Sequence, residues 1–284
     1  MLVPGIISFL FNGLLLGIDF TGGSRIELGQ VTQLDRGQLE SIVNTKTPVH
    51  SIQSADDNEY LIRTDAISQQ KSDDIFALVQ AQDKNVKKLS FETVGATIGS
   101  ETTRKAVIAV LIASLLITSY IAYVFREVSK PLASWKYGVA AVVALLHDVI
   151  FVIGVFSILG VLFNVEVDSL FITALLTVMG FSVHDSIVVF DRIRENLKRE
   201  LPLPFDEIVN VSLLETLNRS LNTSISTILV LFTLLLFSDG ALRWFIFALL
   251  IGVLSGTFSS IFNASPLLVT WNEWDQKRRK KSKK

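Results

Sequence analysis

The residue of this chain whose position most needs a chemical reason is Asp185. It lies in GFSVHDSIVVFDRIREN, residues 180–196, within an apolar run from about 169 to 190. A carboxylate inside a membrane-length helix costs at least ~2.5 kcal/mol on insertion scales, so it marks a functional site by default. Polar groups recur in the neighbouring apolar runs: His147 and Asp148 in 137–163, His184 beside Asp185, and Arg219 at the opening of 220–237. Asp185 sits about five residues, or ~8 Å, from the end of its run, and Arg219 enters from the same side. Antiparallel helices would therefore bring both groups to one depth, where they can pair. Apolar surroundings favour the neutral acid and an adjacent guanidinium favours the carboxylate, while arginine keeps its charge. Asp185 is thus the expected proton carrier and Arg219 its switch. A static ion pair that fixes helix register is the alternative. Asp148, about eleven residues into its helix and nearer the midplane, is a second candidate carrier. His147 and His184 are either relay groups or hydrogen-bonded core histidines.

The run after Arg219 adds a periodic feature. Arg219, Asn222, Thr223, Ser226, Val230 and Thr233 recur at three- and four-residue steps and form one mostly polar face. Such a stripe either lines a proton path with hydroxyls and amides or binds neighbouring helices. Gly252 and Gly256 form a GxxxG pair, which marks close helix packing.

These groups need a membrane scaffold, and the composition supplies one. Half of the 284 residues are hydrophobic and 19% are charged, with a mean hydropathy of +0.48. Apolar runs at 106–125, 137–163, 169–190, 220–237 and 244–263 approach or reach the ~20 residues that cross a hydrocarbon core. Residues 1–17, apolar but broken by Pro4, Gly5, Asn12 and Gly13, read as the outer part of a first transmembrane helix whose start is missing. With no basic residue before Arg25, this stretch lacks the charged lead of a signal peptide. The expected fold is an α-helical polytopic membrane protein of six transmembrane helices, the first truncated, with a small external α+β ferredoxin-like domain.

Orientation follows from basic residues in the connections. Residues 126–136 carry three, 191–219 five, and 277–284 seven of the chain's 26, whereas 164–168 carry none and 238–243 one. The rich segments are expected in the cytoplasm, with both termini there and the soluble block outside. Trp135, Trp244, Trp271 and Trp274 fall near span ends, as interfacial anchors do. The basic tail suits anionic membrane lipids. The expected division is 1–18 partial first helix, 19–104 external domain, 105–265 helices two to six, and 266–284 tail.

Within the soluble block, strands are expected at 25–29, 49–54, 60–64 and 88–94 and helices at 34–44 and 68–82. That βαββαβ order is ferredoxin-like. His50, Asp56, Asp57, Asp73 and Asp74 lack metal-ligand or catalytic spacing and read as solvated surface. In GIDFTGG, residues 17–23, Asp19 and the pair Gly22 and Gly23 end an apolar run with a tight turn. There is no cysteine, which excludes disulfides and cysteine zinc sites, and no P-loop. No enzymatic activity, cofactor, metal or nucleic-acid partner is expected; protons are the expected coupling ion.

Three stretches, GIDFTGG, LLHDV at 145–149, and GFSVHDSIVVFDRIREN followed by ETLNRSLNTS at 215–224, closely resemble the SecF side of the SecD/SecF protein-export family, itself similar to resistance-nodulation-division (RND) transporters. The resemblance covers essentially the whole chain. It implies six spans in the bacterial plasma (inner) membrane, an external domain between the first two, and partnership with SecD, the SecYEG channel and the polypeptide in transit. It implies use of the proton-motive force in late steps of export, with Asp185 as the membrane acid and Arg219 as its basic partner. The chain departs from the common pattern in carrying His184 where members often have Asn, and Gly95-Ala96 where they often have Gly-Pro. A proton-coupled small-molecule or lipid exporter, and a structural scaffold in which Asp185 does not titrate, remain open. An intramembrane aspartyl protease using Asp148 and Asp185 is disfavoured, because their depths differ by roughly 8 Å and its GxGD signature is absent.

Overall fold

The computed structural model describes residues 2–54, 58–125, 132–199 and 202–281; Asp56 and Asp57 lie outside the described residues. The chain forms two compact units, one of Leu14–Val107 with Leu159–Ser169 and one of Met1–Gly13, Ile108–Ile158 and Leu170–Lys284.

The first unit is the α+β domain. Helix α2 (Ile18–Thr21) precedes β1 (Gly23–Gly29), α3 (Arg36–Asn44), β2 (Val49–Ser54), β3 (Tyr60–Thr64), α4 (Gln69–Gln82) and β4 (Lys87–Val94). The sheet is antiparallel with order β2-β3-β1-β4, the ferredoxin-like arrangement that the element order predicts. Alternation sets its faces: Ile26 and Leu28 point into a core with Ile52, Ile62, Leu39, Val43, Ile75 and Val79, while Arg25 and Glu27 occupy the other face. Asp35 begins α3 through a capping box with Gln38, and the Ser68 hydroxyl accepts from Lys71 N at the start of α4. Past the end of α4, the buried Asp83 carboxylate accepts from the backbone N–H groups of Thr32 (2.6 Å), Gln33 (2.8 Å) and Asn85 (3.1 Å). His50 pairs with Asp65, and Asp73 with Lys88, both at exposed positions.

The second unit is helical. Among the described residues, five helices are long and apolar enough to cross a membrane: α5 (Ala96–Val124), α6 (Ser134–Phe163), α7 (Ser169–Lys198), α8 (Phe205–Leu236), and the continuous span Gly240–Arg278. That last span comprises α9 (Gly240–Ser259), a π-helical turn (Ser260–Ala264) and α10 (Ser265–Lys281). Helix α1 (Leu2–Asn12) is apolar but shorter. It packs on α6 where Gly5 meets Gly154, so closely that a Cβ on either would lie 2.8 Å from the other's Cα. The Ser8 and Ser157 hydroxyls join the same helices at 2.9 Å. The expected spans 106–125 and 220–237 fall short of the helices, because α5 begins at Ala96 directly after β4 and α8 begins at Phe205. Trp135 and Trp271 meet edge to face at 5.3 Å, beside an ion pair of Lys136 with Asp275.

Candidate functional site

Asp148 and Asp185 are buried within α6 and α7, with 1% and 3% of their surface exposed. Their surroundings differ. Asp148 accepts from Ser182 of α7 (2.6 Å) and from Ser255 (2.7 Å) and Ser259 (2.6 Å) of α9, and lies 3.1 Å from Nδ1 of His147. This serine cage depends on close helix approach. A Cβ on Gly252 would fall 2.1 Å from Val178 Cγ2, and one on Gly256 would fall 3.1 Å from Ser182 Cβ. The GxxxG pair therefore brings α9 onto α7, and Ser255 and Ser259 continue the same small-residue face.

Asp185 has no such cage. Its Oδ2 and the hydroxyls of Ser186 and Ser220 are buried without hydrogen-bond partners, although Ser220 is the α8 side chain that faces the carboxylate. His184, next along α7, is exposed. The Asp148 carboxylate lies at the level of Ser182, about one helical turn from Asp185, closer than the ~8 Å counted along the sequence.

The expected Asp185–Arg219 contact is not formed: Arg219 is exposed, and no carboxylate among the described residues lies within ion-pair distance of it. The reason is the phase of α8. Near one end of α7 and α8, Asn196 donates to Ser212 (3.0 Å) and Glu215 (2.8 Å), and Arg192 Nε donates to Glu215 (2.6 Å). This register turns Ser212, Thr216, Ser220 and Ser224 inward, and all four are buried. Thr257 of α9 then donates to Ser224 at 2.7 Å. Arg219, one residue before Ser220, points about 100° away. Asn222, Thr223 and Ser226 are exposed with it. The hydroxyls of Thr223 and Ser226 bond back to the carbonyls of Arg219 (2.9 Å) and Asn222 (2.7 Å) on their own helix.

The GIDFTGG turn serves the α+β domain. Gly22 and Gly23 have φ of 75° and 118°, which favours glycine. A Cβ on Gly22 would lie 2.7 Å from Ala96 Cα, and one on Gly99 2.7 Å from Gly22 N, so the turn lies against the start of α5. The Asp19 carboxylate accepts from Ser169 N (2.8 Å) and Oγ (2.6 Å) at the first residue of α7.

Sequence reasoning passed over Ser182, Ser255, Ser259 and Ser220. The four-residue steps through 252, 256 and 255, 259 were the available signal for two of them.

A multi-pass helical membrane protein with a ferredoxin-like domain and two buried intramembrane carboxylates is the class these features define. The model for the protein export membrane protein SecD/SecF C-terminal region matches residues 74–274, and that for the SecD/SecF GG motif matches residues 7–29. The chain belongs to the SecD/SecF family. It is 43% identical to the protein translocase subunit SecF of Thermobaculum terrenum, covering 97% of this chain and 90% of that one. It is 41% identical to the SecF subunit of Anaerolinea thermophila over 96% and 90%. The crystal structure of SecDF from Thermus thermophilus, described as a translocon-associated membrane protein, superposes with a TM-score of 0.84 at 35% identity. The chain covers 36% of that longer polypeptide, which itself aligns with 96% of this chain.

Proposed function

We propose that this protein is an accessory subunit of the Sec translocase that couples proton movement to late steps of polypeptide export, with Asp185 as the proton carrier. The observation that carries the reading is the buried Asp185 carboxylate, which has an unpartnered oxygen, faces the neutral Ser220 on α8 and has His184 beside it on α7. A buried carboxylate without a cation is stable as the neutral acid, and an adjacent guanidinium favours the ionised form. Arg219 precedes Ser220, so a turn of α8 by about 100° would exchange the hydroxyl for the guanidinium and release the proton. Asp148, in its serine cage with His147, is the second acid of the path. His184 enters it from the exposed side.

The partner is a SecD-type half, as in the fused SecDF relatives. Only 6% of the apolar stretch of α5 and 11% of that of α8 is buried, against 50% in the other spans. On α8 that open surface carries Arg219, Asn222, Thr223 and Ser226, polar groups that suit a protein neighbour better than lipid. The termini face the cytoplasm and the α+β domain faces outward, toward the emerging chain at the SecYEG channel. Each proton contributes ~2.3 kcal/mol per 100 mV of membrane potential. That biases a two-state domain but does not unfold a stable one of ~5–15 kcal/mol.

The test replaces Asp185 by Asn and measures proton-motive-force-dependent completion of export in membrane vesicles at saturating ATP. Loss of the force-dependent stage is expected. Wild-type completion would refute the carrier role and leave a scaffold.

A further inference from the structure

The connection between α6 and α7, residues 164–168, is bound into the α+β domain more tightly than a surface loop requires. Glu166 is its centre, with a side chain only 12% exposed. Oε1 lies 3.4 Å from Arg63 Nη1 of β3 and 3.4 Å from Gln53 Nε2 of β2. Arg63 extends the tie: Nη1 donates to the Leu16 carbonyl at 2.9 Å and Nη2 to the Thr21 hydroxyl. The backbones also join. Gly17 N donates to Val167 O and Val167 N to Leu15 O, both at 2.8 Å, in a parallel bridge of Leu16 with Val167. Two residues on, Ser169 donates twice to Asp19. The last turn of α6, from Leu159, belongs to the same compact unit as the domain.

The helices on either side of this loop carry the buried acids Asp148 and Asp185. Asp148 stands 15 residues before Phe163, and Asp185 stands 16 residues after Ser169. Helices of this length are stiff, so a shift of α6 or α7 at the acids reaches the loop. It reaches the domain only as far as the loop is fixed to the sheet.

We propose that Arg63 and Glu166 are the transmission pair of this protein, positioning residues that make the α6–α7 loop move as one piece with the α+β domain. The proposal rests on the proton-coupled reading above. The groups facing Glu166 are Arg63 from β3, Arg25 from β1, Gln53 from β2, and Asp168 on its own loop. Arg25 is itself held by Glu92 of β4. Burial pushes the Glu166 carboxyl up, opposed by Arg63 and Arg25 and reinforced by Asp168. The tie therefore weakens at a higher pH than one made by an ordinary glutamate.

The test uses the full chain with its SecD-type partner in membrane vesicles, comparing E166A, R63A, the double E166A/R63A and D185N. Two readouts are taken: force-dependent export, and amide exchange of residues 164–169 against that of the domain core. E166A and R63A should each cut force-dependent export by about tenfold and leave the ATP-driven stage intact, and the double variant should be no worse than either single one. Exchange at Val167 should rise about tenfold or more while Ile26 and Ile62 stay protected. Export at the wild-type rate in E166A with exchange accelerated would overturn the proposal. So would equal loss of the ATP-driven stage, or loss of protection at Ile26 and Ile62, because each would mark general damage. Wild-type export in D185N marks failure of the proton reading itself; loss in D185N with none in E166A marks failure of the transmission pair alone.

Discussion

Replacing Ser182 by Ala removes one donor from the Asp148 carboxylate and little else. The Cβ that meets Gly256 stays in place, so packing of α9 on α7 is retained and only the 2.6 Å hydrogen bond is lost. A hydrogen bond to a buried carboxyl group contributes ~1–3 kcal/mol net. At roughly 2–4 °C per kcal/mol for a chain of this size, S182A should lower the unfolding midpoint by roughly 2–12 °C. The control is S226A, on the face of α8 that sequence reading favoured. The Ser226 hydroxyl is exposed and bonds only to the Asn222 carbonyl of its own helix, so its loss should cost no more than ~0.5 kcal/mol. Thermal unfolding of the purified protein in one detergent, followed by circular dichroism, compares the two. Midpoints for S182A and S226A within about 1 °C of each other would refute both the serine cage and the assigned phase of the helices.

Gly252→Ala should cost ~1–3 kcal/mol by overpacking against Val178, since its Cβ would enter the 2.1 Å contact with Cγ2; adding V178A should recover most of that loss, as read by the same unfolding measurement. In the α+β domain, burial raises the Asp83 carboxyl, but hydrogen bonds from the backbone of Gln33, Thr32 and Asn85 and from the Thr32 hydroxyl outweigh it and hold the carboxyl below its usual range. The stability it contributes is present above the ordinary carboxylate pKa of ~3.9 and is lost as pH falls through its lower folded value. Wild type should therefore lose stability more steeply than Asp83→Asn below about pH 4, and parallel curves in acid titrations of unfolding would contradict this.

The fold was legible because its signals are local. Strand alternation around Ile26 and Leu28, the βαββαβ order and the apolar runs each depend on neighbouring residues. The phase of α8 was not. Two polar faces lie about 100° apart on that helix, one through Arg219, Asn222 and Ser226 and one through Ser212, Thr216, Ser220 and Ser224. Periodicity reveals both, but the face turned inward is chosen by Asn196, Arg192 and Glu215 across the α7–α8 contact. Asp148 was visible as a buried acid, yet its donors stand 34, 107 and 111 residues away. Glu166 and Arg63 are separated by 103 residues and have no local signature.

The π-helical turn at Ser260–Ala264 acts on the far end of its helix. In an α-helix, residues four apart advance by 400°, so a row at that spacing drifts about 40° per step. From Gly252 through Gly256, Ser260, Ala264 and Leu268 to Asn272, five such steps would accumulate about 200°, yet all six positions are buried. A wide turn admits about one extra residue and takes back about 100°. The turn thus acts as a phase corrector between two couplings of one long helix: Ser255 and Ser259 on Asp148, and Trp271 and Asp275 on Lys136. Deleting one residue there would regularise the hydrogen bonds and swing one coupling off its partner.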